Sequence, residues 1–340
     1  MRIIVDVMSG DNAPLEPIKG AVTAAAAYKV EIIMVGDEKV IAEVCADNEI
    51  KLPQNVEIVN SDSVITMEDH ALSVVREKAD SSMGVSLRML ADGKADAMVS
   101  AGNTGALHAG STLVVRRIKG IKRSAISTIL PFENPTMLID SGANTEVTKD
   151  QLEQFGMMGS IYMKKLFNIN DPRVGLANIG TEPTKGTKAL VEAYEYLSRS
   201  EMINFIGNVE GKQLPFGVCD VIVCDGFTGN TILKVTEGIA MYVMKQIKGV
   251  MTANPLTKLS ALTMKHQLLA LKASFSASEY GGAPMLGISK PVIKAHGSSD
   301  AEEIKNSVRQ AIAFLSTGLI FDISEAVAKQ TSEKAEAGNE

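Results

Sequence analysis

The sequence predicts an α/β protein with a mostly parallel sheet, doubly wound or closely related. Three observations carry that expectation. Short Val- and Ile-rich runs alternate with helical patterns along the 340 residues. The residues just after those runs are crowded with Gly, Asn, Asp and Thr. Two of the junctions also repeat one ladder, "DAMVSAGNTGALHAG" from Asp96 and "DVIVCDGFTGNTILK" from Asp220.

The elements follow in order. Buried parallel strands are expected at Ile3–Val7, Glu31–Val35, Val56–Val59, Ala97–Ser100, Ala125–Leu130, Met137–Asp140, Val174–Asn178, Ile203–Ile206 and Val221–Cys224. A helix follows from "EPIKGAVTAAAA". Another opens at Thr148, where Thr148-x-x-Gln151 has the form of a capping box ahead of Phe155, Met158 and Tyr162. Two more start near Thr187 and Asn230. The organisation expected is one domain over 1–330, with a helical excursion at about 250–276 and a flexible polar tail at 331–340.

Composition bounds the function. Net charge is −6, which gives no reason to expect nucleic acid as a partner. Cys45, Cys219 and Cys224 show no metal-ligand spacing, so no metal is expected, and their odd number points to a reducing compartment. "MRIIVDVMSGD" has no signal-peptide apolar core, and no run of 18 apolar residues spans a membrane. A cytoplasmic location is therefore expected.

The post-strand loops are where an α/β sheet binds its ligands. Five are rich in Gly: Asp6–Asp11, Ser100–Gly105, Asp140–Asn144, Asn178–Gly186 and Asp225–Asn230. Gly permits close backbone approach, and the helix start that follows favours an anion. None of the five is a Walker A loop or a G-x-G-x-x-G fingerprint, so a conventionally bound nucleotide is not expected, nor any cofactor.

"DVMSGDNAP", "SAGNTGA", "DSGAN", "NIGTEPTKG", "CDGFTGN", "YGGAPMLG" and "HGSS" occur in this order from Asp6 to Ser299. In them the chain resembles the bacterial phosphate acyltransferase family (PlsX). It departs at Val7 and Ser9, where that family usually has Ala and Gly. The resemblance implies transfer of a fatty acyl group from acyl-acyl carrier protein to inorganic phosphate. The product is an acyl phosphate for phosphatidic acid synthesis, passed on to a membrane-bound glycerol-3-phosphate acyltransferase. It also implies a homodimer and a layered fold like that of isocitrate and isopropylmalate dehydrogenases. Gly281 and Gly282 enter the expected site through "YGGAPMLG". The alternatives are a phosphotransacetylase acting on acyl-coenzyme A, a decarboxylating dehydrogenase, which the lack of a metal-binding carboxylate cluster disfavours, and a non-catalytic membrane-associated scaffold.

The residue types suit this chemistry. Phosphate is already an oxygen nucleophile, and no G-x-S-x-G elbow is present. The reaction needs orientation and donors for a developing oxyanion. Backbone N–H groups at Gly102–Gly105 and Gly226–Gly229 can supply them, as can Asn103, Thr104, Asn144, Thr181, Thr228 and Asn230. Lys185 can neutralise phosphate or be a solvated loop lysine. His296 can donate a proton or sit in a helix cap. Asp11 and Asp225 orient donors, bind a cation or cap helices. His70, His108 and His266 have no motif around them and read as structural.

Two stretches concern partners. Arg116, Arg117, Lys119, Lys122 and Arg123 form a basic run suited to an acidic carrier protein, or a solvated corner. No acidic residue lies between Glu237 and Glu279. There Lys258, Lys265 and Lys272 recur every seven residues beside Leu259, Leu262 and Leu269, a pattern suited to the inner face of an anionic membrane or to a dimer interface.

Overall fold

The computed structural model describes residues 1–274 and 281–337. The first half runs β1 (Arg2–Asp6), α1 (Leu15–Tyr28), β2 (Glu31–Gly36), α2 (Glu38–Asp47), β3 (Val56–Asn60), α3 (Ser82–Ala91), β4 (Ala97–Ser100) and α4 (Thr104–Gly110). Next come β5 (Ala125–Leu130), β6 (Thr136–Ile139), α5 (Lys149–Phe167), β7 (Arg173–Asn178), α6 (Lys188–Leu197), β8 (Asn204–Glu210) and β9 (Val221–Val223). The chain continues through α7 (Gly226–Met251), α8 (Pro255–Thr263), α9 (Lys265–Ser274), β10 (Ala283–Leu286), β11 (Val292–Lys294), α10 (Ala301–Ser316) and α11 (Leu319–Ala337).

The strands form one eleven-stranded sheet in the order β3-β2-β1-β4-β11-β10-β5-β6-β9-β7-β8. Both ends are parallel. In the middle, β11–β10, β10–β5 and β5–β6 are antiparallel. Ala125–Leu130, expected to be parallel, is thus antiparallel on both sides. The reason is β10 and β11, which escape detection because both are short, "APML" contains Pro284 and "VIK" follows Pro291. They fill the seam between two parallel halves.

Both faces of the parallel strands are covered, so their apolar runs are continuous. Ile3, Val5, Ile32 and Val99 point into the core shared with α1, α5 and α10, whereas Ile4, Ile33 and Met98 point into the core under α3 and α4. The edge strand β8 reaches Glu210, four residues past the expected end; the polar Asn208 in that stretch is buried but paired, accepting from Asn178 Nδ2 and donating to Glu182 O.

Three further expectations change. The tail is helical to Ala337, because Leu319, Ile323 and Val327 are buried and Gln330 donates to Glu153 Oε2 at 2.7 Å. "GFTGN" is the start of α7, not a loop. The excursion is two helices broken at Met264 (φ −97°, ψ 6°), so Lys258 and Lys265 do not share one continuous helical face. The side chains of Leu269 and Lys272 lie outside the described residues.

One buried carboxylate ties the second half of the sheet to its loops. Asp140, just past β6, accepts hydrogen bonds from the N–H groups of Ile126, Gly142, Ala143 and Asn144, and from Asn144 Nδ2 at 2.8 Å. Gly142 takes φ +142°, a left-handed conformation that turns the following amides back onto the carboxylate. Asp140→Ala strands these donors in a dry site. The expected cost is about 3 kcal/mol or more, read as a fall in the denaturation midpoint in urea; an unchanged midpoint would show that the junction is not structural.

Candidate active site

A cavity of about 1340 Å³ opens between the middle of the sheet, the start of α7 and the segment after β11. Ile126, Leu130, Phe132, Leu214, Phe227 and Ile239 give it apolar walls. Asn230, Lys234, Lys294 and His296 give it a polar, cationic region. Asn230 and Lys234 are four apart on α7 and face the same way. Lys234 Nζ stands 3.5 Å from His296 Nε2 and 2.8 Å from Glu237 Oε2. His296 Nδ1 is held by Ser298, whose hydroxyl is at 2.9 Å.

The structure brings part of the expected site to this cavity. Thr104, Gly226, Asn230, Gly281, Gly282 and His296 line it. The other expected residues are engaged elsewhere. Asn103 caps α4, accepting from Ala106 N at 3.0 Å while its amide donates to the carbonyls of Thr66 and Met67. Asn144 is buried and donates to Ser124 O and Asp140 Oδ2. Asp225 caps α7 by accepting from both the N–H and the hydroxyl of Thr228 at 2.8 Å. Asp11 donates its N–H to Gly297 O at 2.7 Å, beside the cavity.

The glycines are mostly a packing requirement. A Cβ at Gly229 would lie 1.8 Å from Asp140 O. Gly226 N donates to Asn144 O at 2.6 Å and Gly229 N to Asp225 O at 2.9 Å, so neither amide is available as an oxyanion donor. A Cβ at Gly102 would meet Met83 and the buried Ser9. The Gly102 amide donates to Ser100 Oγ, and Gly105 lies within α4. Thr181 and Lys185 occupy the exposed loop 179–186, off the cavity wall; Lys185 packs across Gly180 and its carbonyl accepts from Asn178. Lys185 therefore stands apart from this cavity.

Two lysines go unnoticed in sequence. Lys234 is legible only once the α7 start is read as helix, four residues after Asn230. Lys294 is the last residue of β11, a post-strand position hidden with the strand itself. Its Nζ donates to Ala101 O at 3.2 Å and to Ala295 O. Burial pushes the ammonium down to about 8, against the opposing pull of Asp11. Burial likewise raises the Cys219 thiol to about 12 and holds the Cys224 thiol well above its ordinary value, so neither is a nucleophile. Among the described residues no cluster of His, Cys, Asp or Glu could hold a metal ion.

The basic run lies at a separate pocket of about 300 Å³ lined by His108, Thr112, Arg117, Lys122, Arg123 and Ser124. Arg116, Arg117, Lys119, Lys122 and Arg123 are all exposed, and Lys122 pairs with Asp150 at 3.2 Å. His108 meets Ser124 Oγ at 3.0 Å, and burial holds its imidazole below its ordinary value, in keeping with a structural role.

Residues 1–321 match the family model described as fatty acid synthesis protein. The chain is 44% identical over 335 residues to the phosphate acyltransferase of Thermoanaerobacter pseudethanolicus, covering 98% of this chain and 99% of that one. Among solved structures it is similar to a phosphotransacetylase from Streptococcus pyogenes (TM-score 0.59, 17% identity, 96% of this chain and 94% of that one). It is also similar to 4-hydroxythreonine-4-phosphate dehydrogenase from Klebsiella pneumoniae (TM-score 0.54, 12% identity, 93% and 99%). Those two likenesses establish a fold common to phosphotransacylases and dehydrogenases, as the sequence implied. With the full-length identity and the family model, the chain belongs to the phosphate acyltransferase family.

Proposed function

We propose that this protein transfers a fatty acyl group from acyl carrier protein to inorganic phosphate. The observation that carries the reading is one cavity joining apolar walls wide enough for an acyl chain to a cationic region suited to phosphate. A phosphate oxygen attacks the thioester carbonyl, the C–O bond forms, and the C–S bond breaks to release the carrier thiolate. No enzyme nucleophile is required. Asn230 and Thr104 are the donors aimed at the developing oxyanion, and His296 donates a hydrogen bond or the proton taken up by the leaving thiolate.

Partners follow from surfaces. The exposed Arg116–Arg123 run docks the acidic carrier. Along α7 beyond the cavity, Val243 and Val250 recur seven residues apart beside Tyr242, all exposed, an apolar face which a second copy would cover as a homodimer. On α8, Leu256 (78% exposed), Leu259 and Leu262 project beside Lys258, a surface suited to an anionic bilayer and to handing acyl phosphate to a membrane-bound acyltransferase. No single described helix is long and apolar enough to cross a membrane.

Hydroxylamine trapping of acyl phosphate tests the chemistry. Acyl carrier protein thioester plus phosphate should yield product, and Arg117→Glu with Arg123→Glu should raise the carrier KM at least fivefold while leaving phosphate dependence alone. Product from acyl-coenzyme A only would favour the phosphotransacetylase alternative. For the membrane, each lysine near an anionic surface contributes about 1 kcal/mol. Lys258→Glu with Lys265→Glu should cut co-sedimentation with anionic vesicles at least tenfold. Equal sedimentation of parent and variant would assign α8 to protein contacts alone.

A further inference from the structure

We infer that Lys294 is the charged anchor of a phosphate subsite at the cationic region of the cavity, with Lys234 and His296 completing it. This rests on the acyl transfer reading and assigns the phosphate within it. Three observations support the assignment.

First, Lys294 is only 9% exposed, yet it lines the cavity. Lysine is almost never buried to this degree without a charged partner. Second, its two acceptors, Ala101 O and Ala295 O, are neutral carbonyls. An ammonium has three donors, and among the described residues no carboxylate forms an ion pair with it. Asp11 and Asp6 contribute attraction from further off. Third, no charge around it supplies a contacting counter-ion: Asp11 and, more weakly, Asp6 attract it from beyond ion-pair distance, while Lys234, which reaches His296, repels it. A buried, clustered positive charge without a counter-ion is costly. An oxyanion entering the cavity would supply the counter-ion and take the remaining donor. Phosphate held there sits beside Asn230 on the adjoining turn of α7, where the thioester carbonyl is to be met.

The chemistry selects a phosphate group, which has two sources here: free inorganic phosphate, or a phosphodiester on the carrier's arm. We commit to inorganic phosphate. Titration of the full-length protein with inorganic phosphate, followed by 31P NMR line broadening, measures the subsite without turnover. Lys294→Met should weaken phosphate binding at least tenfold, and Lys294→Arg less. Lys234→Met should also weaken it, which keeps the test open if Lys294→Met does not fold. The affinity of Lys294→Met for loaded carrier should stay within twofold of the parent. No phosphate binding by the parent, wild-type affinity in Lys294→Met, or loss of carrier rather than phosphate would each overturn the assignment. So would loss of phosphate at Lys185→Met with retention at Lys294→Met. Failure of acyl transfer itself is read separately, in the trapping assay.

Discussion

The carboxylate of Asp140 is the constraint on which the site's geometry depends. It lies buried where β6 ends, and it gathers amides from β5 and from its own loop. Its main partner, Asn144, donates to Ser124 and accepts from Gly226 at the first turn of α7. The contact is so close that only glycine fits at Gly229, against the Asp140 carbonyl. One buried acid thus fixes the strand pair that walls the cavity and the helix that carries Asn230 and Lys234 into it. A charged hydrogen-bond hub of this kind is stable only when every lone pair is used.

The opposite wall follows another rule. β11 runs parallel to β4, and β10 runs antiparallel to both β11 and β5, closing the seam between two parallel half-sheets. Closing it brings Lys294 to the end of β4, where its ammonium meets the carbonyl of Ala101. The first and second halves of the chain therefore meet at a site that neither contains alone. The repeated ladder of the sequence marks the two helix starts that flank this seam. Its glycines serve close packing of helix on strand, and the polar residues beside them cap helices.

What sequence revealed and hid has physical reasons. Long buried strands such as Arg2–Asp6 and Glu31–Gly36 declare themselves, because both faces must be apolar. The capping box at Thr148 marks the start of α5, where Gln151 Oε1 accepts from the Thr148 N–H at 3.0 Å. Asn230 and His296 stand out as polar residues in glycine-rich surroundings, and both reach the cavity. Lys185 stands out for the same reason and does not, since a local motif cannot say where its loop points. Lys294 was illegible because its strand is three residues long and draws its identity from pairing with β4 and β10. Asn103, Asn144 and Asp225 illustrate the commonest ambiguity: a polar side chain after a strand satisfies backbone amides as readily as it binds a ligand.

The central claim is spatial: phosphate is held between β11 and α7 while the acyl chain lies along the apolar walls. The most direct measurement is a crystal structure with inorganic phosphate and a long-chain acyl analogue bound. The account predicts phosphate in contact with Lys294 and Lys234, beside Asn230, and the chain against Phe227 and Ile239. Phosphate bound at the loop 179–186, or a chain lodged outside this cavity, would contradict it.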